Sequence, residues 1–143
     1  MTITVKKVLK EALKLDANIY HIHDPELLKI SKKLKRIGKK VVYDVHEDLP
    51  RQIMYKHWIP KHMRKIVSKA AELYENKIAR NLNGIITATP HIEERFVKIN
   101  PNTIAINNFP ILNELLINQD YKSKTENNIC YVGGITKSRG IFE

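Results

Sequence analysis

The sequence contains a single cysteine, Cys130, so no disulfide can close within the chain, and the chain suits a reducing compartment. Its apolar runs are only a few residues long, which excludes a bilayer-spanning segment. The stretch Met1-Thr2-Ile3-Thr4-Val5-Lys6-Lys7 lacks an apolar core of signal-peptide length. Acidic residues are scarce: 15 Asp and Glu against 25 Lys and Arg leave a net charge of +10. That balance favours anionic partners, whether nucleic acid, lipid headgroups or phosphorylated substrates. No recognised nucleic-acid motif is present, and the aromatics form no evident stacking platform, so nucleic acid is not the expected partner. A Walker A loop and a dinucleotide fingerprint are both missing. What is there is a 143-residue chain with 43% hydrophobic residues, enough for one modest core and too apolar for a disordered tail.

Hydrophobic spacing predicts a helix over residues 3–15, on Val5, Val8, Leu9, Ala12 and Leu13. A first strand runs from Asn18 to His23. Asp24 then suits an N-cap, Pro25 the first helical position, and Gly38 the helix end. Lys40 to Val45 forms a second strand, and the continuous Val41-Val42-Tyr43 suits a strand covered on both faces. Glu47 to Ile59 reads as a polar and aromatic loop of unusual length. Pro60 opens a long helix on Met63, Ile66, Val67, Ala70, Leu73, Tyr74 and Ile78. A third strand covers Gly84 to Ala88. Thr89-Pro90 starts a helix to Val97, and a fourth strand covers Thr103 to Ile106. A short helix over Ile111 to Leu116, and a fifth strand at Asn128 to Val132, complete the pattern. This alternation predicts an α/β fold with a Rossmann-like parallel sheet flanked by helices.

Both early strands end in histidine and carboxylate, and a parallel sheet puts those ends on the edge where open α/β folds bind ligands. His46 is the main candidate, with Glu47 or Asp48 to orient its ring. His21 and His23 share one face of a strand and could begin a metal site with Asp24, completed by His46 and Glu47. The helix cap accounts for Asp24 without metal, and no metal is expected. Gly133 and Gly134, followed by Lys137 and Arg139, form a turn suited to phosphate. Cations cluster over 32–40 and 51–69, where a basic helix could rest on anionic lipid.

Four segments together resemble the retaining glycosyltransferases of family 4, whose GT-B architecture pairs two Rossmann-like domains. They are His21-Ile22-His23-Asp24-Pro25-Glu26-Leu27-Leu28, Tyr43-Asp44-Val45-His46-Glu47-Asp48, Gly84-Ile85-Ile86-Thr87-Ala88-Thr89-Pro90 and Tyr131-Val132-Gly133-Gly134-Ile135-Thr136-Lys137-Ser138-Arg139-Gly140. The resemblance implies sugar transfer from a nucleotide-sugar donor to a lipid-linked or polysaccharide acceptor, with retained anomeric configuration and no cofactor. It implies that His46 is catalytic and faces the transferred sugar. Asp24, Glu47, Asp48 and Asn107 would bind substrate, and Gly133, Gly134 and Arg139 the donor diphosphate. The family's first cation in that turn is replaced here by Gly134.

The implied organisation is a partial acceptor domain over 1–120, a linker over 121–127 and the start of a donor domain over 128–143. The family's opening strand, its glycine-rich loop and most of its donor domain have no counterpart here. The chain is therefore expected to be an incomplete GT-B enzyme that binds UDP-sugars poorly and transfers nothing alone. The expected location is cytoplasmic, peripheral on the inner face of the membrane. Two alternatives stay open: a metal-dependent hydrolase on His21, His23, His46 and Glu47, and a non-catalytic binding remnant.

Overall fold

The computed structural model describes residues 2–109 together with Ile111, Val132 and Gly133. The chain divides into two units, Met1–Asn108 and Phe109–Glu143. In the first unit the elements run α1 (Ile3–Leu15), β1 (Ile19–Ile22), a 3-10 turn (Pro25–Leu27), α2 (Leu28–Arg36), β2 (Lys40–Val45), α3 (Leu49–Ile53), α4 (Lys61–Ala79), β3 (Gly84–Thr87), α5 (Pro90–Val97) and β4 (Thr103–Ala105). The four strands form one sheet in the order β1-β2-β3-β4, and every neighbouring pair is parallel. The fold is thus α/β with an all-parallel sheet, consistent with a Rossmann-like arrangement. The expected short helix at 111–116, the linker, Cys130 and the fifth strand lie outside the described residues, apart from Ile111 and Val132.

Local chemistry sets several of these boundaries. Thr89 caps α5, its hydroxyl accepting from the Ile92 amide at 3.3 Å, and Pro90 supplies a preset φ at the next position. Gly38 takes φ +83° after α2, a left-handed conformation that a Cβ disfavours. Its amide donates to the Lys35 carbonyl and the Lys39 amide to the Leu34 carbonyl, each at 3.0 Å, closing the helix end. Asp24 does stand at the N-cap of the 3-10 turn, yet its side chain makes no capping bond; its carbonyl accepts from Leu27 at 2.9 Å.

Each crossover advances one strand in the same direction. Right-handed crossovers of that kind carry their helices to a common face. The core lies against that face: Ile22, Val41, Tyr43, Val45 and Ile85 from the strands meet Val5 and Leu9 of α1, Leu28, Ile30 and Leu34 of α2, Ile78 of α4 and Phe96 of α5. The opposite face carries Ile19, His21, Val42, Asp44, Ile86 and Ile104, none of them fully buried. This corrects the expectation of a second strand covered on both faces, since Val41 and Tyr43 are buried but Val42 is only half-buried.

Two further expectations change. The segment 47–59 is not a bare loop, because α3 forms within it and packs on α4. Ser68 donates to the Pro50 carbonyl at 2.6 Å, and the Arg64 guanidinium donates to the carbonyls of Ile59 and Met54 at 2.9 and 3.3 Å. The apolar stripe of α4 does not enter the core along most of its length. Met63, Ile66, Leu73 and Tyr74 are exposed, whereas Glu75, Ile78 and Ala79 are buried.

Glu75 is the main buried charge, 1% exposed. Its carboxylate accepts from the Tyr43 hydroxyl at 2.9 Å and from Arg95 Nη2 at 2.6 Å. The Arg95 guanidinium also lies 4.1 Å from the centroid of the Phe96 ring, where a cation is attracted to the π-face. Burial, and then the adjacent Glu75 charge, drive the Tyr43 hydroxyl far above its ordinary range, so it stays a protonated donor. This network joins β2, α4 and α5 across the core face.

Candidate functional site

β1 and β2 end side by side. Ile22 is opposite Tyr43 in the parallel register, which sets His23 level with Asp44 just beyond. Alternate residues share a face, so His21, His23, Asp44 and His46 all project from the open side of the sheet. The carboxylate of Asp44 sits at their centre. His21 Nε2 lies 3.2 Å and His23 Nδ1 3.4 Å from Asp44 Oδ2, and His46 Nε2 lies 3.5 Å from Asp44 Oδ1. His23 Nδ1 and His46 Nε2 are 3.1 Å apart, and those two rings stack with centroids 5.4 Å apart. A hydrogen bond between two ring nitrogens requires one of them to offer its lone pair.

The cluster is wet on the outside and anchored on the inside. The side chains of His21, His23 and His46 are 44%, 54% and 53% exposed, while Asp44 is only 13% exposed. Asp44 belongs to a strand paired on both sides, with β1 and with β3. Its position is therefore fixed by two backbone ladders rather than by the histidines. The imidazoles present donors, lone pairs and a replaceable proton to solvent at the carboxyl rim of the sheet.

Not every expected site residue reaches this cluster. His46 does. Asp24 is exposed at the start of the 3-10 turn and makes no hydrogen bond or ion pair with the histidines. Glu47 is exposed and takes no part in the cluster. Asp48 turns away, its carboxylate 3.5 Å from Arg51 Nε, and Arg51 Nη1 in turn donates to Glu72 at 2.7 Å. The Arg51 hydrogen bond holds the Glu72 carboxyl below its ordinary range. Asp48 thus belongs to a structural ladder between α3 and α4. Asn107 is exposed beyond the carboxyl end of β4, on the same rim but past β3 from His46. Gly133 is exposed and lies in the second unit, and Gly134 and Arg139 lie outside the described residues.

The residue that organises the site, Asp44, was not singled out by the sequence. The signal was present as Asp-x-His following His-x-His, two alternating pairs on consecutive strands. Comparison of the chain with protein-family models, curated proteins and solved structures gives no match. Among the described residues, no helix is long and apolar enough to cross a membrane.

Proposed function

We propose that this chain is the acceptor-side portion of a retaining sugar transferase of the GT-B kind, with His46 facing the sugar being transferred. The observation that carries the reading is the position of His46: it leaves the carboxyl end of a central parallel strand onto an open rim, beside other polar side chains. Open α/β sheets bind ligands at such rims. Imidazole can donate to a sugar hydroxyl or a phosphate oxygen there. Donor diphosphate binding belongs to Gly133, Gly134 and Arg139 in this reading.

The acceptor in this reading is lipid-linked or a polysaccharide precursor, and α4 offers a way to meet it. Trp58 and Ile66 are 78% and 68% exposed, and Tyr55, Met63 and Leu73 are exposed near them in sequence. Lys61, Lys65 and Lys69 are exposed on the same helix. An apolar stripe with flanking lysines suits the interface of an anionic bilayer, with an aromatic at headgroup level. Sedimentation with anionic vesicles should show binding at low salt that weakens at high salt; no binding at low salt removes the membrane from the proposal.

The site reading is tested by following the imidazole resonances of the labelled chain by NMR. Short glycans and polyprenyl-phosphate headgroup analogues are added in turn. Acceptor-type ligands should shift His46 before His57, His62 and His91, which lie outside the cluster, and His46→Ala should abolish the binding. Sugar ligands that leave His46 unmoved at saturation would sink the proposal.

A further inference from the structure

We propose that His21, His23 and Asp44 bind a divalent zinc ion, with His46 beside the open coordination position. This goes beyond the sugar-transfer reading and does not rest on it. Zinc bonds to imidazole nitrogen and carboxylate oxygen at about 2.0–2.2 Å, and tetrahedral coordination then separates neighbouring ligand atoms by about 3.3–3.5 Å. The two histidine-to-Asp44 separations, 3.2 and 3.4 Å, have that size. The ligand atoms of His21, His23 and Asp44 all lie within 4.8 Å of one another. Small ring rotations suffice to bring them onto one ion. His46 Nε2, at 3.1 Å from His23 Nδ1 and 3.5 Å from Asp44 Oδ1, stands outside that group, placed to be the partner of a bound water.

The donor chemistry selects the metal class. Neutral imidazole suits zinc and its first-row neighbours, whereas magnesium and calcium prefer all-oxygen shells. The rigidity is also appropriate. His21 is paired with Val42 in the β1–β2 ladder, and Asp44 is paired with Ile86 in the β2–β3 ladder. Sites carried on strands hold their geometry better than sites on loops. Two histidines and one carboxylate with solvent on the outer side match a zinc that keeps a place for water or a substrate oxygen. Asp24 and Glu47, the carboxylates flanking the histidines in sequence, are not needed.

The test uses the full 143-residue chain, stripped with chelator and then titrated with zinc by calorimetry, with bound metal counted by elemental analysis. One zinc per chain is expected, with shifts in the His21 and His23 imidazole resonances. Cobalt should give the visible bands of a four-coordinate site. Asp44→Asn and His21→Ala should each weaken zinc by more than the roughly 10–100-fold that loss of a mere supporting residue costs. His91→Ala, at an exposed histidine outside the cluster, should leave affinity unchanged, and circular dichroism shows whether each variant is folded. Absence of stoichiometric zinc, or zinc that survives both His21→Ala and Asp44→Asn, overturns the proposal. Failure of zinc binding leaves the glycan shifts at His46 untouched, and failure of those shifts leaves the zinc titration untouched.

Discussion

Tyr43 and Asp44 are neighbours on β2, yet they enter polar networks of opposite character. Tyr43 points into the core, where it meets Glu75 and Arg95 in a buried, hydrogen-bonded group. Asp44 points to the open face, where it meets three exposed histidines. Both networks are built from side chains of separate elements, and both converge on one carboxylate. The buried one is committed: its groups lie in the low-dielectric interior, and removal of any member strands the others. The exposed one is available: its imidazoles are already hydrated and can exchange partners at small cost. One strand therefore carries a structural pin on one side and a ligand-ready cluster on the other.

The largest expected effect breaks the pin. Glu75→Ala leaves Arg95 buried without its carboxylate and should cost about 3–5 kcal/mol in urea unfolding. A loss below about 1 kcal/mol would mean that Arg95 rehydrates freely, and the contrast between the two networks would disappear. Tyr43→Phe is milder. It removes the donor to Glu75 and should cost about 1.5–3 kcal/mol, the scale of a hydrogen bond to a charged group.

The ladder of Asp48, Arg51 and Glu72 is as exposed as the histidine cluster, with the Arg51 side chain 54% exposed, but it joins α3 to α4. Arg51→Ala should cost only about 0.2–1 kcal/mol. Its pH signature is more telling. The Glu72 carboxyl is held below its unfolded value by Arg51, so its contribution is present above the ordinary carboxylate range. That contribution is lost as pH falls through the depressed value of the folded state. Arg51→Ala should therefore lose that stability at neutral pH and converge with the parent chain at low pH, which flattens the acid side of the stability curve.

The smallest effect on stability is expected at the open cluster. With chelator present, His21→Ala and His23→Ala should each stay within about 0.5 kcal/mol of the parent chain. If either costs as much as Tyr43→Phe, the histidines hold the fold, and the cluster is a second pin rather than a site.

Much of the fold was legible locally. The bounds of α1, β2 and α5 follow from apolar spacing, from Thr89-Pro90 and from the run at Val41. Gly38 marked the end of a helix because the left-handed turn there disfavours any Cβ. The placement of His46 at the rim followed from strand direction alone. The failures share a different character. The stripe on α4 was visible as a period, but a period says which residues share a face and not what that face meets. Met63, Ile66 and Leu73 accordingly share a face that stays exposed, while the helix turns Glu75 inward. The short helix α3 was hidden because its stability comes from packing on α4, through Arg51, Pro50 and Ile53, rather than from its own few residues. Asp24 looked better placed than Asp44 because it is adjacent to His23 in sequence.

By itself the amino-acid order determined the alternation of strands and helices, their capping, and the parallel direction that sends histidines to one edge. The alternation and the capping are local, because backbone preferences and side-chain periods act over a few residues, while the parallel direction follows from the crossover that each intervening helix makes. Only the tertiary structure decided that the helices gather on one face, and that Asp44 rather than Asp24 stands among the imidazoles. Register between two strands depends on packing across residues far apart in the chain, and a shift of one position would turn every one of those side chains to the other side.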